Sequence, residues 1–153
     1  MTSIETATLP HDDYMEAVVD ALSARGIPPS QWWTSEDDSG AATDRLDAVV
    51  LWSGIASPDH WPHGVYLTWD QYDGWRLIEE GGARTIWALS EDSLTYSDPR
   101  QVAADVAARL THGMDGWTPG PVCIDGPRWD SRATQAAVTR WETAYEATVR
   151  RTP

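Results

Sequence analysis

The segment from Val65 to Ser90, VYLTWDQYDGWRLIEEGGARTIWALS, constrains the fold more than any other part of the chain. Two β-favouring runs flank DQYDG, and a third follows the glycine pair Gly81-Gly82. Runs of β-branched and aromatic residues bounded by turn formers read as strands joined by hairpins. With DQYDG as a five-residue hairpin loop, Trp69 stands opposite Trp75, Leu67 opposite Leu77 and Tyr66 opposite Ile78. If Gly81 and Gly82 make a two-residue turn, Leu77 faces Ile86, Trp75 faces Ala88 and Arg76 faces Trp87. Strand side chains alternate between faces, so Val65, Leu67, Trp69, Trp75, Leu77, Ile86 and Ala88 share the expected core face. The other face carries Tyr66, Thr68, Arg76, Ile78, Thr85 and Trp87, a mixed set in place of a plainly polar one.

Helices bracket this meander. Tyr14, Met15, Val18, Val19 and Leu22 fall on one helical stripe, and Gly26 followed by Ile-Pro-Pro ends that helix. Residues 1–10 read as a flexible polar arm ending at Pro10. The stretch Ser30 to Asp44 has turn-forming composition, with Glu36 to Gly40 an exposed, mobile loop. Ala48 to Trp52 suits a strand buried on both faces, and Gly54, Pro58 and Pro62 keep the next segment irregular. Ser97 or Asp98 caps a second helix with Pro99 in its first turn, Val102, Val106 and Leu110 one turn apart, and Gly113 as its stop. Residues 113–130, rich in Gly and Pro, read as an ordered crossing loop. A third helix from about Ser131 to Arg151 places Ala133, Ala137, Trp141, Ala144, Tyr145 and Thr148 on one side. The order α-β-β-β-α-α predicts an α+β fold: a small antiparallel meander of three or four strands with helices packed mainly on one face. At 153 residues, one domain over 11–153 is expected, with 114–153 a loop and helix added to its core.

The net charge is −13 and every basic residue is arginine. A field of that sign repels phosphate backbones, so no nucleic-acid partner is expected. It serves solubility, or attraction to a basic protein surface, a DNA mimic being one form of this. Cys123 is the only cysteine, which excludes an intramolecular disulfide; in its apolar setting it reads as buried and inert. The start of the chain has no signal-like segment, and no eighteen consecutive apolar residues occur. The expectation is a cytoplasmic protein with no membrane partner.

Chemistry-bearing patterns are weak. Asp59, His60 and His63 lie within five residues, but Pro62 excludes the helix that presents paired histidines, so no metal is expected. His11 and His112 sit at helix ends as structural groups. Carboxylate pairs (Asp12-Asp13, Glu36 to Asp38, Glu79-Glu80, Glu91-Asp92) fall in caps, turns or exposed loops, and acid-base work needs a desolvated one. No phosphate-binding glycine loop, nucleophile elbow or zinc-helix motif is present. The reading is non-enzymatic, with no catalytic residue and no cofactor.

The runs YMEAVVDALSARGIPPSQWW, VYLTWDQYDGWRL and DPRQVAADVAARL together resemble a family of small actinobacterial proteins of unknown function, over roughly Tyr14 to Gly113. The resemblance implies the architecture and no activity. With no phenylalanine, tryptophan fills core volume: Trp52, Trp69 and Trp75 are expected inside, and Trp141 packs the last helix. Tyr66, Arg76, Ile78 and Trp87 form the expected partner-binding set, since aromatic and arginine side chains are enriched at interface hot spots. The third helix covers that face, or another subunit or partner does. The expected function is an acidic protein-binding module: an inhibitor, an immunity-type or adaptor protein, or an oligomer component. The alternative is a small-molecule-binding or hydrolytic protein whose pocket, at Trp32, Trp33, His60 and His63, lies between the sheet and the Trp-rich loops.

Overall fold

The computed structural model of the chain describes residues 8–36, 45–81 and 84–151. Most of the expected N-terminal arm, the loop beyond Glu36 and Gly82 of the expected turn lie outside the described residues. The elements are α1 (Asp12–Ala24), β1 (Gln31–Glu36), β2 (Leu46–Leu51), β3 (Tyr66–Asp70), β4 (Gly74–Glu79), β5 (Thr85–Ala88), α2 (Pro99–His112) and α3 (Arg132–Arg151). The strands form one antiparallel sheet in the order β1-β2-β3-β4-β5, an α+β architecture.

The sheet has five strands where three or four were expected, because Gln31–Glu36 is a strand paired along its whole length with β2. At the sheet edge its residues are exposed or half-buried, so QWWTSE has no alternating apolar pattern to betray it. β2 alternates: Leu46, Ala48 and Val50 are buried and the residues between them half-buried, so this run is buried on one face and not on both.

Helices α1 and α2 pack together over the inward face. Tyr14, Met15, Val18 and Leu22 of α1 meet Val102, Val106 and Leu110 of α2 and the sheet residues Val50, Leu67, Trp69, Trp75 and Leu77 in one core. Burying each large aliphatic side chain there stabilises the fold by roughly 1.5–3 kcal/mol. The rings of Tyr14, Trp69 and Trp75 form a tilted triangle with centroids 6.0–6.4 Å apart, in the range of favourable edge and offset contacts. Their buried polar tips are satisfied: Trp69 Nε1 donates to the Thr95 carbonyl at 2.7 Å, and Tyr14 Oη to that of Ser97 at 2.6 Å. Trp52 is half-buried at the margin, its Nε1 donating to the Ile27 carbonyl at 2.8 Å.

α2 begins as its sequence dictates. Asp98 is the N-cap, its carboxylate accepting from the Arg100 N–H at 2.9 Å, Pro99 occupies the first turn, and Gly113, at φ 74°, ends the helix. The same carboxylate accepts from the Trp129 N–H at 2.9 Å, while the Arg100 guanidinium donates to the carbonyls of Asp125 and Pro127, pinning the long crossing segment onto α2. Cys123 in that segment is exposed, contrary to expectation, because the segment lies over the surface and buries few of its side chains. α3 turns Thr134 and Val138 inward, one position on from Ala133 and Ala137, and Val138 joins the core cluster on the helical side of the sheet. Among the described residues, no helix is long and apolar enough to cross a membrane.

Candidate functional site

The β3–β4 hairpin has the expected register: Tyr66 pairs with Ile78, Leu67 with Leu77, Thr68 with Arg76 and Trp69 with Trp75. It closes one pair further, Asp70 to Gly74, with Gly74 at φ 71°. Asp70 Oδ1 accepts from the backbone N–H groups of Tyr72 and Asp73 at 2.8 and 2.7 Å, an Asx arrangement that fixes the turn.

The β4–β5 register differs from expectation by one residue. Arg76 pairs with Ala88, Leu77 with Trp87, Ile78 with Ile86 and Glu79 with Thr85. A one-residue slip exchanges the faces of a whole strand. Trp87 therefore points inward, its ring 5.4 Å from that of buried Trp61 in an edge-to-face contact, while Ile86 and Ala88 point outward. The last pair before the connection is Glu79 with Thr85. Burying the larger indole against Trp61 and Leu77 removes more apolar surface from water than burying Ile86 would. The indoles of Trp69, Trp75 and Trp87 thus share the core face, and Trp87 leaves the expected partner-binding set. Arg76 cannot stack on it.

Tyr66, Arg76 and Ile78 remain together on the reverse face, joined there by Trp33, Val49 and Ile86. Of the two alternatives for covering this face, α3 is not the one: its inward residues pack into the core cluster on the opposite side. Trp33 stays 42% and Ile86 45% exposed. Near the centre of the face lies a cavity of about 260 Å³, lined by Arg45, Tyr66, Thr68, Arg76, Ile78 and Arg84 among others.

Charge is arranged around this cavity in two groups. Asp70 is buried and paired with Arg45 at 3.2 Å and Arg76 at 3.3 Å; the more exposed Asp73 pairs with the same two arginines. Arg45 also lies 5.9 Å from the Tyr72 ring centroid. Burial works against the Arg45 charge, but Asp70, Asp73 and Asp47 outweigh it and raise its pKa above the ordinary value. Beside them, Arg84 donates to Tyr66 Oη at 3.1 Å and Tyr66 Oη donates to Glu80 at 2.8 Å; the Tyr66 bond, then Glu80, raises the Arg84 pKa. Arg45 and Arg84 flank strands from their loop ends, where no periodicity marks them in the sequence.

The other expected pocket set is dispersed. Trp32 and Trp33 are consecutive on β1, across from Val50 and Val49, and so lie on opposite faces. His60 sits against Gly113 at the end of α2, and the His63 N–H donates to Glu79 at 3.3 Å. Trp61 between them is core, its Nε1 donating to the Arg109 carbonyl at 2.8 Å. Among the described residues, no group of three or more His, Cys, Asp or Glu is placed to hold a metal ion. Buried Asp105 of α2 accepts from the hydroxyls of Ser90 and Ser93 at 2.5 and 2.7 Å. Ser90 Oγ in turn accepts from the Asp92 and Ser93 N–H groups, so this cluster organises the β5–α2 loop. The chain matches no family model, no curated protein and no solved structure.

Proposed function

We propose that the protein is a non-enzymatic, acidic protein-binding module that receives its partner on the reverse face of the sheet. The supporting observation is that Trp33 and Ile86, 42% and 45% exposed, lie on a face that bears no helix among the described residues. Tryptophan, tyrosine and arginine are over-represented in interface cores, and this face carries Trp33 on its β1 edge, Ile86 on its β5 edge, and Tyr66 and Arg76 on the strands between them. The net charge of −13 steers a basic partner toward the chain and accelerates encounter at low salt. Roles as an inhibitor, an immunity-type protein or an adaptor fit this description.

The test pairs light scattering of the purified chain with retention of basic proteins on the immobilised chain. Wild type is expected to self-associate or to retain a partner. A Trp33→Ser/Ile86→Ser double variant is expected to lose it by tenfold or more, about the loss of one hot spot. A wild-type chain that stays monomeric and retains nothing beyond what the double variant retains contradicts the proposal.

A further inference from the structure

We propose that the cavity in the reverse face binds the carboxylate of a small monocarboxylic acid. Thr68 and Arg76 stand directly across from one another on β3 and β4, and both line the cavity. Thr68 Oγ1 and Arg76 Nε are each buried without a hydrogen-bond partner. Native proteins pair nearly all such groups, because an unpaired one keeps its full desolvation cost. Two of them on one cross-strand pair, in residues that line one cavity, mark a place for an acceptor. The guanidinium Nε–H can only donate and the threonine hydroxyl can donate, so the occupant presents oxygen lone pairs.

The surroundings narrow the ligand to a carboxylate. In a chain of net charge −13, the cavity lining carries three guanidiniums, Arg45, Arg76 and Arg84, against the carboxylates of Asp47 and Asp70. Asp70 and the rim residue Asp73 hold Arg45 and Arg76 in place. Arg84 is held by Tyr66 Oη and by exposed Glu80, and an exposed ion pair of the latter kind adds little and exchanges readily. A ligand carboxylate can take Arg84 from Glu80 while accepting from Arg76 Nε and Thr68 Oγ1, leaving no buried charge unpaired. A dianion would set a second negative charge beside Asp47 and Asp70. Ile78 and Val49 supply an apolar wall for a short hydrocarbon or aromatic body, and about 260 Å³ lies just below the usual range of ligand pockets, which favours a small molecule. The site does not depend on protein docking at the same face.

The purified chain alone is titrated with acetate, butyrate and benzoate, with benzamide as the uncharged counterpart of benzoate and inorganic phosphate as the dianion. Nitrogen–proton NMR of the Arg76 side-chain Nε–H and the Thr68 amide reads the binding. At least one carboxylate is expected to shift both signals saturably, with benzamide and phosphate at least tenfold weaker. Thr68→Val removes the hydroxyl at nearly constant size in a strand that favours valine, and is expected to weaken the carboxylate by about tenfold. Arg84→Gln, an exposed substitution that spares the core, is expected to do the same. Shifts that never saturate, benzamide or phosphate binding as tightly as the carboxylates, or unchanged affinity in Thr68→Val and Arg84→Gln would each overturn the proposal and leave a bridging water as the occupant.

Discussion

Alanine at positions 86 and 87, compared in one experiment, separates the observed β4–β5 register from its neighbour one residue away. Trp87 lies opposite Leu77 and edge-on to buried Trp61, with ring centroids 5.4 Å apart. Truncating a fully buried tryptophan costs about 3–5 kcal/mol, and for a half-buried one roughly 2–3 kcal/mol is expected. Ile86, 45% exposed on the reverse face, loses only surface contacts, so Ile86→Ala stays within about 0.5 kcal/mol. With a urea m-value of about 2 kcal/mol/M, Trp87→Ala lowers the denaturation midpoint by roughly 1–1.5 M and Ile86→Ala by about 0.25 M or less. Circular dichroism is the suitable probe, because removing one of ten tryptophans alters the fluorescence baseline itself. In the shifted register Ile86 would face Leu77 and the ranking would invert. An Ile86→Ala loss larger than the Trp87→Ala loss would therefore refute both the register and the composition of the open face.

Two further predictions concern buried polar groups. His11 is fully buried, stacked on Trp69 at 5.3 Å, with Nε2 against the Asp47 carbonyl at 2.7 Å and Nδ1 unpartnered. The carbonyl can only accept, so Nε2 carries the proton of a neutral ring. Burial lowers its pKa, against the opposing pull of that carbonyl and of Asp12. The unfolded state then binds the extra proton first, so the His11 contribution is complete above about pH 6.5 and is lost as pH falls from there through the lower folded value. Urea midpoints measured from pH 8 to 5 should decline over that range and flatten in His11→Gln; a midpoint that rises on acidification contradicts this. Burial opposes the charge of Asp98, but Arg100 and the N–H groups of Trp129 and Arg100 outweigh it and hold its pKa below the ordinary value. Its contribution is present above about pH 4 and falls away as pH drops through the folded value. Asp98→Ala should cost about 2 kcal/mol at neutral pH by removing the α2 cap and freeing the Trp129 N–H. Calorimetry showing an unchanged melting temperature would contradict the capping role.

Strong local signals reached the structure intact. The α1 stripe at Tyr14, Met15, Val18 and Leu22, the Asp98-Pro99 start of α2 and the Trp69–Trp75 pairing all follow from spacing and turn chemistry within a few residues. What failed depended on distant partners. Gln31–Glu36 is a strand because β2 runs beside it, and its own residues, exposed or half-buried, show no period. Gly81-Gly82 suggested the tightest turn, whereas the register is set by Trp61, a residue from an irregular segment whose indole completes the core beneath Trp87. The same dependence governs the site. Tyr66, Arg76 and Ile78 were legible on one face from alternation, but Arg45 and Arg84 come from strand approaches and enter only once β2, β3 and β5 are aligned. α3 is amphipathic enough to cover either face; Val138 and Thr134 direct it to the core side.

The openness of the reverse face can be measured directly with a soluble gadolinium chelate, which broadens NMR signals of solvent-facing side chains. The chain should be dilute enough that light scattering reports a monomer. The side chains of Trp33 and Ile86 should broaden strongly, while Leu77, Trp75 and Trp69 stay sharp and Trp87 is only partly affected. Sharp Ile86 and Trp33 signals alongside a strongly broadened Trp87 would contradict the open face and, with it, the docking surface.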